Sequence, residues 1–333
     1  MKAYYFITTA IFASSCAIST GALGQAAPAA APAAAPSVEP PTEPPAVEII
    51  VHRYVPHRVY DTRRNRFVDF ETMLARLKTA QIIFLGEQHN DPATHRLQEA
   101  VLEGLARRRS EPIVLALEMF ERDAQQPLDA YLAGAHDEAA FLAAARPWPR
   151  YATDYRPMVE FARSRNWPIV AGNVPRRFAQ LVSRRGLAAL DSLPAEERAL
   201  FATELSCPRD DYWRRFRAQM GDLSSHGMQL APEEVEPTVW RMYEAQCLKD
   251  ETMGESIAEA AADGALVVHA NGSFHSDRRM GTVERTRRRL PRARLSVVSF
   301  VPITDLDAAD GRARRALGDW VVFTLFTVAE PKP

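Results

Sequence analysis

Cysteine is scarce: three occur in 333 residues, and only Cys207 and Cys247 lie beyond the N-terminal segment. Neither belongs to a Cys-x-x-Cys pair, so zinc-ribbon and thioredoxin-type sites are excluded. Gly-x-Ser-x-Gly is also missing, which argues against a serine hydrolase built on a nucleophile elbow. No fixed-period repeat occurs, which sets aside solenoids and propellers. The formal net charge is only −1. With no whole-chain basic field, a nucleic-acid partner is not expected. Lysine is rare beside arginine, which reflects codon bias rather than a partner.

The N-terminal segment reads as a targeting signal. Lys2 precedes an apolar stretch from Tyr4 to Ala13, too short to span a bilayer. Small residues around Ala22-Leu23-Gly24 suit signal-peptidase cleavage. The expectation is a signal peptide over 1–24. Ala13-Ser14-Ser15-Cys16 also resembles a lipobox with Ala13 where Leu is usual, which would make 1–15 the signal and acylate Cys16. A freely periplasmic protein and a membrane-anchored lipoprotein are both open. Residues 25–47, built from Ala and Pro, cannot form a core and read as an extended linker. In an oxidising compartment Cys207 and Cys247 would form a disulfide; as the other reading, they are two separate buried thiols.

About 285 residues remain, enough for a substantial core. Four short apolar runs within them each end in residues fit for chemistry. Ile82 to Leu85 leads to Gly86-Glu87-Gln88-His89, and Ile113 to Leu117 leads to Glu118. Ile169 to Ala171 leads to Gly172-Asn173, and Leu266 to Ala270 leads to Asn271-Gly272-Ser273-Phe274-His275. Such runs, separated by helical patterns, predict buried parallel strands. Leu295 to Val301 and Trp320 to Val328 supply two more, and Glu48 to Asp69 reads as a hairpin before a helix. Asp91 caps a helix whose first residue is Pro92 and whose inward face holds Leu97, Val101, Leu102 and Leu105. Helices are expected near 124–133, 137–145 and 156–165, and Pro175 opens another. Residues 186–262 hold no convincing strand. The predicted fold is therefore α/β: a mostly parallel sheet flanked by helices, with an inserted all-helical subdomain, over residues 48–330.

Ligands of open α/β sheets bind beyond the carboxyl ends of the strands. Glu87 and His89 leave the first strand together, and His95 falls in the first turn of the next helix, with Gln98 one turn on. Carboxylate plus imidazole is a ligand set for a divalent metal and equally a general acid/base pair. Glu118 is costly to bury unless it is paired or ligating; a salt bridge to Arg122 or Arg176 is the plain alternative. Asn173 and Arg176 stand at the third strand end, where Arg176 would bind an anionic group or neutralise Glu118. His275 lies past Gly272 on a loop. His269, inside its strand, reads as a hydrogen-bonded core residue. The eight arginines between Arg278 and Arg294 read as a solvated helix face, or as an anion contact.

These segments, together with Glu118-Met119-Phe120, Trp148 to Pro157 and Asn173-Val174-Pro175-Arg176, resemble the ChaN-like haem-binding lipoproteins. That family shares a superfamily with the TIKI proteases and erythromycin esterases. The resemblance, from about Glu48 to Val328, implies an α/β core with a helical insertion, export to the cell envelope, and haem binding linked to iron uptake. It implies haem as cofactor, with Tyr151 and Tyr155 as candidate phenolate ligands and His89 and His275 as imidazole alternatives. His95, Asn173 and Arg176 would complete the haem site. No Cys-x-x-Cys-His occurs, so any haem would be non-covalent. In the superfamily's hydrolases the matching positions would make Glu87, His89, Glu118 and His275 a site for zinc or manganese that activates water for ester or amide hydrolysis. The expected partners are haem or another small molecule, a membrane through the lipid anchor, and a second copy of the chain as a homodimer.

Overall fold

Side-chain alternation along buried strands decides which helices cover which face. The structure, a computed structural model, describes residues 54–221 and 230–326; the expected signal peptide, lipobox and linker lie outside the described residues. Eight strands form one sheet: β1 (His57–Asp61), β2 (Arg66–Val68), β3 (Ile82–Glu87), β4 (Ile113–Glu121), β5 (Ile169–Asn173), β6 (Leu266–Gly272), β7 (Leu295–Ile303) and β8 (Trp320–Leu325). Their order is β2-β1-β8-β7-β3-β6-β4-β5. All contacts from β8 through β5 are parallel, and only β1 runs antiparallel, to β2 and β8. The fold is thus α/β with a mostly parallel sheet.

On one face of the sheet Ile83, Leu85, Leu115, Leu117, Val268 and Ala270 form a core. It is covered by α1 (Phe70–Leu77), α2 (Pro92–Ala106), α3 (Gln125–Leu132), α4 (Glu138–Ala145), α5 (Tyr151–Asp154) and α6 (Arg156–Ser164). The alternate residues Ile82, Phe84, Val114, Ala116 and Val267 face the other way. Helices α7 (Arg176–Arg185), α8 (Ala195–Arg198), α9 (Asp211–Met220), α10 (Pro232–Ala260) and α11 (Thr282–Arg289) follow, with a short α12 (Gly311–Arg314). Ile257 of α10 and Val283 of α11 belong to this second core. Leu102 is fully buried, so its truncation to Ala would cost about 2–5 kcal/mol.

Asp91 caps α2 as anticipated, accepting from the Ala93 N–H at 3.1 Å. Between β5 and β6 the described chain is helical, and Cys207 is disulfide-bonded to Cys247, fastening the segment before α9 onto α10. In the chain-entropy model, closing a loop of this length contributes about 4 kcal/mol.

Two expectations change. β4 does not stop at Glu118 but continues to Glu121, with its register to β5 shifted between Leu117 and Glu121. Such an irregularity re-aims side chains, and past it Met119 and Phe120 both join the core of Leu115 and Leu117. The arginine-rich segment is not a uniformly solvated face either. Arg285 is 1% exposed, and Arg285, Arg288 and Arg289 all pair with the buried Glu251 of α10, while Arg279 pairs with Asp319 at 2.7 Å. Glu251 is buried and needs counter-charge, so the arginines stack against it.

Candidate ligand site

β3, β6, β4 and β5 are neighbours in the sheet, so their carboxyl ends deliver Glu87, Gly272, Glu118 and Asn173 to one place. Glu87 lies opposite Gly272 in register. From Gly272 two arms of alternating carboxylates and imidazoles diverge.

The first arm belongs to β3 and α2. His89 Nδ1 donates to Glu87 Oε1 at 2.7 Å. The Tyr155 hydroxyl donates to the same oxygen at 2.8 Å, and Gln98 Nε2 donates to Oε2 at 2.8 Å. His95 continues the line, its Nδ1 3.6 Å from Glu87 Oε2 and its Nε2 3.4 Å from Asp154. Arg150 closes the end: it pairs with Asp154 and donates to the His89 carbonyl at 2.6 Å. Burial works to raise the Glu87 pKa, but the His89 hydrogen bond and the charges of His95 and His89 outweigh it and hold the carboxyl below its ordinary range. For His89, burial opposes the charged form while Glu87 favours it more strongly, so its pKa is raised.

The second arm is closed. Glu118 Oε2 accepts the Gly272 N–H at 2.6 Å, and Oε1 lies 3.3 Å from His275 Nε2. His275 Nδ1 donates to Asp250 Oδ1 at 2.7 Å. Asp250 also accepts from Thr282 and from the Tyr212 hydroxyl, each at 2.8 Å, and Gln246 donates to that hydroxyl at 3.0 Å. Burial alone would push the His275 pKa down, yet Glu118 and Asp250 raise it to about 10. Burial would raise that of Glu118, yet His275 dominates and holds it well below the usual carboxylate range. His275 is therefore a buried imidazolium between two carboxylates.

The arms touch at Gly272, where a Cβ would stand 2.7 Å from His89 Nε2 and 3.5 Å from Glu118 Oε2. Exposure separates them: the His89 side chain is 44% exposed and that of His275 is 8% exposed. Among the described residues nothing hydrogen-bonds His89 Nε2, and the edge of the Trp148 ring lies beside the imidazole, with centroids 5.2 Å apart.

The structure thus brings Glu87, His89, His95, Tyr155, Glu118, Asn173 and His275 together. Asn173 serves the backbone, donating to the Glu118 carbonyl at 3.0 Å across the strand irregularity. Arg176 does not reach Glu118: its side chain is 62% exposed and lies 4.0 Å from Glu121. Arg122 pairs with Glu255, 3.2 Å away, so neither arginine neutralises Glu118; His275 does. Tyr151 also stands apart, packed among Phe120 and Phe141 with its hydroxyl buried and unpartnered among the described residues. Its burial raises the phenol pKa. His269 is in the core, 3.2 Å from the Ala116 carbonyl, and burial pushes its pKa down to about 4.

The expected zinc or manganese set is not assembled. Among the described residues no group of three or more His, Cys, Asp and Glu side chains is arranged to hold a metal ion. The reason lies in the pairing: His89 Nδ1 and both His275 nitrogens already face carboxylates instead of converging on a common point. Asp250, Tyr212, Gln246 and Asp154 escaped the sequence reading. Lys249-Asp250-Glu251 looks like a solvated helix turn, and the one signal for Asp154 was an acid inside an aromatic segment.

A parallel α/β sheet with an ionisable cluster at its central strand ends defines the class. Residues 73–286 match the family described as haem-binding uptake, Tiki superfamily, ChaN, and the chain belongs to that family. The solved structure described as cofacial haem binding to ChaN of Campylobacter jejuni superposes with a TM-score of 0.61 at 18% identity, covering 80% of this chain and 96% of that one; at that identity the similarity is one of fold. Protein RETICULATA-RELATED 5, chloroplastic, of Arabidopsis thaliana is 24% identical over 246 residues. That match takes in 70% of this chain but spans only about a third of the length of the relative.

Proposed function

We propose that this protein binds haem at the meeting point of the two arms, where His89 Nε2 would hold the iron. One observation carries the reading: among the carboxylates and imidazoles described in the cluster, His89 alone is half-exposed, and its Nδ1 is fixed by a carboxylate. Metal-ligating histidines are oriented in this way, the second-shell carboxylate setting the tautomer and strengthening the donor. Trp148 offers an aromatic wall beside the ring. Arg150, 42% exposed and anchored on the His89 carbonyl, supplies a cation for a haem carboxylate. A bound haem would supply an iron centre open to ligation or redox chemistry. The chain's own part is to present the imidazole, hold its proton on Nδ1 and keep Glu87 charged. Tyr155 suits phenolate ligation less well: it is 2% exposed, and burial and Glu87 keep its proton on.

Family membership supports a role in haem uptake, and the basic, apolar and small-residue pattern of the N-terminal segment supports export to the periplasm or to a lipid-anchored place in the envelope. A second reading rests on the same pair. A half-exposed imidazole held by a buried glutamate, with no hydrogen-bond partner on Nε2 among the described residues, is also a general base for ester or amide hydrolysis. Haemin titration separates the two readings. Haem carriage predicts a saturable Soret band in the wild type that is lost or shifted in His89→Ala. Hydrolysis predicts ester turnover that falls about 100-fold or more in the same variant, with no saturable band in either protein.

A further inference from the structure

Gly272 has an ordinary backbone conformation, φ −57° and ψ 135°, which any residue adopts. Its lack of a side chain is therefore a matter of space. A Cβ there would meet His89 Nε2 at 2.7 Å and Cε1 at 3.0 Å, well inside the optimum for heavy-atom contact, whereas Glu118 Oε2 at 3.5 Å would be an ordinary neighbour. The backbone is held from behind, since the Gly272 N–H donates to Glu118, which His275 fixes in turn. The imidazole is held from the other side by Glu87 at 2.7 Å. His89 thus sits in a notch whose floor is the Gly272 α-carbon.

We infer that Gly272 is a positioning residue for His89, setting where the imidazole stands and so which ligand geometry the site accepts. The inference rests on His89 being the haem donor, as proposed above. In Gly272→Ala the backbone has no reason to move. The half-exposed imidazole is the part that can yield, by several tenths of an ångström and away from its bond to Glu87. The variant keeps the fold and loses the placement.

A double-mutant cycle tests this with haemin as the probe. Gly272→Ala should weaken haem binding by about 10-fold or more and shift the Soret maximum in the wild-type background, but by less than about 2-fold in a His89→Ala background, where the methyl has nothing to displace. A merely structural role would cost the same in both. Without haem, Gly272→Ala should speed carbethoxylation of His89 by diethyl pyrocarbonate while the thermal midpoint stays near that of the wild type. Equal costs in the two backgrounds, or wild-type haem affinity and His89 reactivity in Gly272→Ala, would overturn the inference. If His89→Ala itself leaves haem binding intact, the proposed donor is wrong, and the reactivity of His89 in the haem-free variant still decides whether Gly272 positions it.

Discussion

The arm leaving β3 and the arm reached through β6 are built from the same two side-chain types, yet only one meets solvent. Glu87 and Glu118 are both almost wholly buried and both hold a histidine. In the first arm His89 has one carboxylate partner and is 44% exposed, while His95 behind it is buried between Glu87 and Asp154. In the second His275 has carboxylates on both sides, and a tyrosine closes the far end. A buried charge is tolerated when it is paired and hydrogen-bonded, and in the second arm each His275 nitrogen faces a carboxylate. The first keeps one nitrogen unspent, and that is what a ligand can use.

The largest effect should come from breaking the closed arm. His275→Leu leaves Glu118 and Asp250 facing each other without a cation, and should destabilise the protein by about 3–5 kcal/mol in urea unfolding. His89→Ala, at a half-exposed position, should cost about 1 kcal/mol or less. Equal losses would remove the distinction between the arms.

The pH dependence sharpens it. In the folded chain the His275 pKa is raised from 6.5 to about 10. Its imidazolium therefore contributes stability in full below the ordinary histidine value, and that contribution is lost as pH rises through about 10. The wild-type melting midpoint should fall over that window, and His275→Gln should flatten the decline. A decline of the same depth in the variant would place its origin elsewhere.

Strand ends were readable because a short apolar run closing on Glu, His or Asn is a local pattern. Glu87, His89, Glu118 and His275 are found that way. What they pair with was not readable. Asp250 and Tyr212 come from helices in the long segment between β5 and β6, where their spacing reads as ordinary amphipathic helix. The continuation of β4 past Glu118 depends on a register shift that no residue type announces. Arg176 does not neutralise Glu118 as one alternative had it, because the strand's unforeseen extension sets Glu121 beside it, 4.0 Å away. The arginine-rich stretch was misread for a similar reason: Glu251, its buried partner, is more than thirty residues earlier in the chain.

A smaller change probes the open arm alone. Tyr155→Phe removes one hydrogen bond to the buried, charged Glu87 and should cost about 1.5–3 kcal/mol in stability. The Soret band of the haem complex should keep its position, because the phenol supports the carboxylate and does not ligate. A lost or strongly shifted band would transfer the ligating role to Tyr155.

The identity of the residue that holds the iron is the most direct test. In the ferric haem complex of protein labelled with nitrogen-15 histidine, pulsed electron paramagnetic resonance should show hyperfine coupling from one protein imidazole, and that coupling should be absent in His89→Ala. A complex whose spectrum lacks histidine coupling, or is the same in the wild type and in His89→Ala, would contradict the account.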